Sequence, residues 1–197
     1  PIHYPDVDWI DLTLDEVATH QQHTLSMSGG TKNLRTKFTF NYQEGEGYYE
    51  NKGYERYAGR LNNDYQITDW MRANVDLDFS ASESTSPALG NAIYWAHLIS
   101  PIYNPYWADG SFADVKDGGN VLAALANGGK NTTNYYKFGA KAQLDITPVK
   151  GLTLTAIFAP RFNFTKGKNF SKATPVYYED GRSIMHQSLK TTNLSES

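Results

Sequence analysis

From Trp70 to Ser82 the chain separates into two lists by alternate residues. Met71, Ala73, Val75, Leu77, Phe79 and Ala81 are apolar, whereas Arg72, Asn74, Asp76, Asp78, Ser80 and Ser82 are polar or charged. A strict period of two predicts an extended strand with one apolar and one wet face. The alternation recurs along the chain and predicts six strands, at 22–28, 34–43, 55–68, 70–82, 135–147 and 152–165. In the second, Leu34, Phe38, Phe40 and Tyr42 share a face, with Thr36 among them, against Arg35 and Lys37. In the third, Tyr57, Leu61, Tyr65 and Ile67 oppose Arg56 and Arg60. The fifth sets Tyr136, Phe138, Ala140, Ala142, Leu144 and Ile146 against Lys137, Lys141 and Asp145. The sixth offers Leu152, Leu154, Ala156, Phe158, Phe162 and Phe164, while Ile157 and Ala159 interrupt its polar side.

The connections alternate as well. Short turns with turn chemistry follow the first, third and fifth strands, at Gly29-Gly30, at Thr68-Asp69 and between Pro148 and Gly151. Longer segments follow the second, fourth and sixth. A chain that threads a membrane back and forth keeps its short turns on one side and its long loops on the other. A soluble β-sandwich, the rival architecture, has no reason to keep that parity. The predicted fold is therefore all-β, a transmembrane antiparallel β-barrel segment. Residues 1–20 are its outer loop, 21–82 four strands, 83–134 a long extracellular loop and 135–165 two more strands. Residues 166–197 form an extracellular loop or begin the next strand. Tyr42, Tyr57, Tyr136, Phe162 and Phe164 then fall towards the outer strand ends, with Tyr65 and Trp70 near a short turn, as interfacial aromatic belts require. Nine charged residues share the face opposite the apolar one: Arg35, Lys37, Arg56, Arg60, Arg72, Asp76, Asp78, Lys141 and Asp145. An Arg or Lys turned to lipid at mid-bilayer costs about 2–4 kcal/mol, so this face is expected to line the barrel lumen.

Composition narrows the remaining choices. The 197 residues carry a formal charge of −3 and no basic stripe, which argues against a nucleic-acid partner. No run of eighteen apolar residues offers a membrane helix, and strand crossing needs none. With no cysteine there is neither a disulfide framework nor thiol catalysis. The histidines (His3, His20, His23, His97 and His186) are scattered, with His20 and His23 as the one candidate metal pair. Asp109, Asp114 and Asp117 lack the order of a calcium loop. No nucleophile elbow or phosphate-binding loop is present, so the chain reads as non-enzymatic and without a cofactor. The long loop has its own features. "ALGNAIYWAHLIS" and "GNVLAALANG" each predict a short helix, around a proline-punctuated aromatic stretch. Tyr94, Trp95, Tyr103, Tyr106 and Trp107 are candidate contacts for a ligand or a lid, and packing within the loop is the competing role.

These segments resemble a known family. "YPDVDWIDLTLDEV" (Tyr4 to Val17) is similar to the Asp-Trp segment of SusC/RagA-type TonB-dependent outer-membrane transporters. "QHTLSMSGGT", "FTFNYQEGEG" and "YERYAGRLNNDYQITDWMRANVDLDFSAS" follow in the family's order. Then comes "SPIYNPYWADGSFA", which resembles its Ser-Pro…Asp-Gly loop. The likeness covers Tyr4 to about Ala113 and loosens from Tyr135 to Phe164. It departs at Leu34, where an aromatic is usual, and at Glu46, where an apolar residue is common. It implies an early run of strands from a large plugged barrel in the outer membrane of a Gram-negative bacterium. Nothing here resembles the plug or the TonB-box segment. The resemblance further implies active import of nutrients such as glycans or oligopeptides. A SusD-like surface lipoprotein would act as lid, and TonB would act through an N-terminal part not in this chain. A passive porin or barrel adhesin shares the alternation and the loop parity and remains the alternative within the membrane.

Overall fold

The computed structural model describes residues 4–115, 119–186 and 192–196. Helix α1 (Trp9–Thr13) precedes strands β1 (His20–Gly30), β2 (Leu34–Glu46), β3 (Gly53–Thr68) and β4 (Met71–Pro87). Helices α2 (Ala92–Leu98) and α3 (Val121–Asn127) follow, then β5 (Gly129–Val149), β6 (Leu152–Phe158) and β7 (Arg161–Ser171). A small hairpin of β8 (Thr174–Tyr177) and β9 (Ser183–His186) leads to β10 (Thr192–Glu196). The main sheet runs β1-β2-β3-β4-β5-β7-β10, with β6 also paired to β5, and every pair is antiparallel. It does not close on itself among the described residues.

The six expected strands are all present, and all are longer than the alternation alone suggests. The added length lies almost entirely at the outer ends. β2 and β3 extend until only 47–52 connect them, so little of the expected outer loop between them is loop. β4 and β5 continue through 83–87 and 129–134, which shortens the long connection to 88–128. The sequence "ESTSP" pairs here with "KNTTN". Apart from the buried Pro87, residues on both faces of those extensions are at least partly exposed, so no continuous apolar side is needed and no alternation marks them. The sixth strand is divided at Pro160, yet Phe158 pairs with Ala142 and Arg161 with Gly139, so the register is unbroken. Proline removes one ladder donor without shifting a residue.

Register turns the alternation into rows across the sheet. Met27, Phe38, Leu61, Leu77, Ala140 and Pro160 lie in one row; Leu25, Phe40, Gly59, Phe79, Phe138 and Phe162 lie in the next. A Cβ on Gly59 would sit 2.1 Å from a Phe79 ring carbon, so the ring covers the glycine backbone. Above them His23, Tyr42, Tyr57, Ala81, Tyr136 and Phe164 form a nearly continuous aromatic row. The Tyr42 and Tyr57 rings are 5.0 Å apart, and those of Tyr136 and Phe164 6.1 Å. Below, Leu34, Tyr65, Ala73, Leu144 and Ala156 lead to Trp70 at the short turn. From residue 71 to 81 the apolar band runs about 33 Å along the strand, or about 25 Å in height at a usual barrel tilt.

The apolar face of this sheet is uncovered among the described residues. Its apolar side chains stay open: Phe158 is 71% exposed and Phe162 65%. No second sheet covers that face among the described residues. The buried core lies instead in the outer connections, where Trp9, Ala92, Ala96, Ile99, Val115, Val121, Leu122 and Leu125 cluster. The outer loops thus have a water-excluding core, whereas the wall has none.

Candidate functional site

Opposite the apolar rows the sheet presents a polar wall. All nine charged residues read as lumen-facing lie on this one face, because each occupies a register position between apolar rows. In its lower part the carboxylates are held by neighbours. The Arg72 guanidinium donates to Asp64 Oδ1 at 3.0 Å, and Asn74 Nδ2 donates to the same oxygen at 3.0 Å. Asn62 Nδ2 donates to Asp76 Oδ1 at 2.6 Å. The Thr155 hydroxyl and the Gln143 amide donate to Asp145 at 2.7 Å and 3.0 Å. Exposed pairs of this kind contribute about 0–1 kcal/mol, so they order the wall more than they stabilise it. Asp64 is a member of this lattice that the nine-residue reading leaves out. Higher up, Arg56, Arg60 and Asp78, together with Lys137 and Arg161, surround a hollow of about 420 Å³.

Two polar residues sit among the apolar rows. Thr36 and Asn63 face each other across β2 and β3, and the Thr36 hydroxyl donates to Asn63 Oδ1 at 2.8 Å. Each satisfies part of the other's hydrogen bonding, which lowers the cost of leaving both on an apolar face.

The outer connections form a cap. Asp8 caps α1, its Oδ1 accepting from the N–H groups of Ile10 and Asp11, both at 3.0 Å. The helix packs on α2 and α3. The Val7 N–H donates to the Pro101 carbonyl at 3.0 Å, which ties the segment before β1 to the long loop. From the β2–β3 connection Asn51, at φ 61°, donates through Nδ2 to the Leu125 carbonyl at 2.9 Å. At the centre is Asn120, buried as the N-cap of α3. Its Oδ1 accepts from Leu122 and Ala123 N–H at 3.0 Å and 3.2 Å, while Nδ2 donates to the carbonyls of Pro105 and Ala113 at 2.7 Å and 3.1 Å. An Asn just before an apolar, helix-forming run is a legible N-cap signal; the two carbonyls it bridges are not legible.

The five candidate loop aromatics divide between two roles. Trp95 and Tyr103 pack against the cap core, and Trp95 Nε1 donates to the Leu89 carbonyl at 3.2 Å. Their part is internal packing. Tyr94 and Tyr106 are exposed, Tyr106 lying 5.2 Å from the Phe112 ring. Trp107 is half-buried and donates from Nε1 to the Tyr177 carbonyl at 2.6 Å. With Asp109, Tyr177, Tyr178 and Glu179 it lines a hollow of about 660 Å³ between the long loop and the β8–β9 hairpin. The Ser111 hydroxyl and N–H both donate to Asp109 and hold its carboxyl below the usual carboxylate range. The Arg182 N–H, and then its guanidinium, do the same for Asp180.

Among the described residues no three His, Asp or Glu side chains converge as metal ligands. Asp117 and His3 lie outside the described residues. His20 and His23 are three apart on β1 and project to opposite faces, so they cannot chelate one ion; His23 stacks near Tyr42 instead, its ring 6.3 Å away.

No family model matches the chain. It is 26% identical over 176 residues to the TonB-dependent receptor P26 of Formosa agariphila, covering 88% of this chain and 18% of that protein. Among solved structures, it is similar to the RagAB peptide transporter, with a TM-score of 0.66 at 24% identity. The RagAB peptide importer matches at 0.63 in both its "closed-closed" and "open-open" states, at 22% and 23% identity. Each of these alignments covers 84% of this chain and 20% of the solved one. The chain thus spans about a fifth of the length of the proteins it matches. At that partial coverage the chain is thus similar in sequence to a TonB-dependent receptor and in fold to the RagAB peptide transporter.

Proposed function

We propose that the chain is wall and outer cap of an active transporter in the outer membrane of a Gram-negative bacterium. The whole protein imports a nutrient, works with a SusD-like surface lipoprotein as lid, and takes its energy from TonB through a part not in this chain. Oligopeptide is the favoured cargo, since the solved neighbours are described as peptide transporters or importers, with oligosaccharide the alternative. The observation that carries the membrane reading is the register. Six strands align an exposed apolar band under an aromatic row, and every one of nine charges falls on the other face. A water-soluble sheet with that face open would expose far more contiguous apolar surface than a soluble monomer tolerates.

The decisive comparison uses two adjacent residues in the full-length protein. Leu77→Arg places a cation in the centre of the apolar band at about 2–4 kcal/mol, whereas Asp76→Arg adds one to the polar wall. Heat-modifiable gel migration should show reduced assembly for the first and near-normal assembly for the second. Equal yields would refute the facing. Uptake of labelled oligopeptides by cells carrying or lacking the gene then tests the cargo.

A further inference from the structure

The polar wall is not uniform in charge. Its lower rows carry Arg35, Lys37, Arg72 and Lys141 beside Asp64, Asp76 and Asp145, four cations against three carboxylates. Each of those carboxylates accepts at least one hydrogen bond from a neighbour. The rows above carry Arg56, Arg60, Lys137 and Arg161 with Asp78 alone. Among the described residues none of these four cations has a hydrogen-bond or ion-pair partner, although Arg60 lies directly opposite Asp78. The wall is also recessed there. Ala58 and Gly139 occupy two of the wall positions, and a Cβ on Gly139 would meet Asp78 Oδ1 at 2.6 Å. The hollow of about 420 Å³ is therefore rimmed by unpaired cations.

We propose that this hollow binds the carboxylates of an acidic oligopeptide as it passes along the wall. The inference rests on the transporter reading above and specifies its cargo. Guanidinium groups hold carboxylates bidentately, and Lys137 adds a point charge beside Arg161 on the neighbouring strand. From Arg60 on β3 to Arg161 on β7 is three strand spacings, about 14 Å. Alternate side chains of an extended peptide are about 7 Å apart, so acidic residues four positions apart in one ligand span about 14 Å and reach both sides of the hollow. A low-dielectric wall focuses the field of unpaired charges and concentrates anions near them.

The test uses the full-length transporter in detergent and three fluorescent probes: a Gly-Glu-Gly-Glu-Gly-Glu-Gly peptide, its lysine counterpart and a sulfated oligosaccharide. The glutamate peptide should bind about tenfold or more tighter than the lysine peptide, and the preference should shrink as salt rises. Lys137→Gln with Arg161→Gln should weaken the glutamate peptide about tenfold or more. Arg72→Gln, in the paired lower wall, should change it by less than about twofold. Equal affinities for the two peptides in correctly assembled wild-type protein would overturn the proposal while leaving the barrel reading intact. A preference for the sulfated sugar over the glutamate peptide, lost in the double variant, would also overturn it in favour of an anionic glycan. So would unchanged peptide binding in the double variant with raised passive entry of a large antibiotic, because the cations would then be holding a plug. Discrimination between the two peptides by the wild-type protein needs no variant, so misassembly of the double variant cannot remove the test.

Discussion

At the scale of the residue, the side chains that matter most are often the ones that break a pattern. Asn120 is the clearest example, because it caps α3 and bridges two loop carbonyls while buried. Asn120→Ala should cost the cap about 2–4 kcal/mol, the sum of a lost cap and two unpaired carbonyls. Limited proteolysis should then cut within 101–115, with barrel migration on a gel unchanged. The Thr36–Asn63 pair makes a different kind of exception. Thr36→Val and Asn63→Leu should each destabilise the full-length barrel by about 1 kcal/mol, because each strands its partner in an apolar row. The double variant should recover most of that loss, with a coupling of about 0.5–1.5 kcal/mol in urea unfolding. Thr36 is visible in the sequence as a polar residue in an apolar list. Its remedy is not, because strand pairing alone brings position 63 opposite position 36. Asp109 and Asp180 give the cap a pH dependence. Both carboxyls are held below their ordinary range, so the turns they brace are fully supported above the ordinary carboxylate pKa and loosen as pH falls through the lowered values.

At the scale of the element, the strand centres were legible and their outer ends were not. Alternation exists where one face meets water and the other does not, which is the stretch from about 71 to 81 in β4. Above the aromatic row, Ser82 to Pro87 still pair with 130–135, but apart from the buried Pro87 both faces are partly exposed and the pattern dissolves. The short turns were legible because backbone geometry demands particular residues. Gly151, at φ 90°, takes the turn between β5 and β6. Helices α2 and α3 are legible as short apolar runs after an Asn, whereas α1, in the segment expected as an outer loop, is too short for periodicity to mark although Asp8 caps it in the usual way. Cysteine labelling checks this vertical order. On intact cells expressing the full-length protein, cysteines at Tyr48 and Thr132 should react with an impermeant maleimide, and cysteines at Asp69 and Leu77 should not. Reaction at Asp69 without reaction at Tyr48 would invert the topology. Protection of Thr132 would put the extended strand ends inside the membrane.

At the scale of the whole molecule, the fold joins two materials. One is a wall whose apolar face is left open, and the other is a cap that excludes water by itself. The cap gathers the segment before β1, the β2–β3 connection, the long loop and the β8–β9 hairpin. No periodicity announces such a core, since its members come from separate irregular stretches. The sequence therefore gives no means of telling Trp95, which packs inward, from Tyr94, which does not. This changes the expectation for the loop. Replacing 101–113 by a Gly/Ser linker removes Tyr103 and Phe112 from around the core, and with them the fixed placement of the two backbone carbonyls that Asn120 bridges. Barrel migration should survive, because the ladder lies elsewhere. The remaining cap should become protease-sensitive, and co-purification of a surface lipoprotein should fall. A narrower probe is Trp107→Ala, which should reduce that recovery or uptake without exposing 88–100 to protease. Unchanged recovery and uptake in both variants would leave the cap a passive cover.

The proline inside the last long strand has a consequence for how the wall moves. Ala140 donates to the Pro160 carbonyl at 3.0 Å, but Pro160 has no N–H to return, so the two-way exchange expected of such a pair is half made. The register continues on both sides, so the defect is a crease in an intact sheet. It lies at mid-height in the same row as Leu77. Deuterium exchange of the full-length protein should be fastest among the buried amides beside this crease, and slower there in Pro160→Ala. If the wall flexes when cargo passes, this missing bond is the least costly place for it to bend.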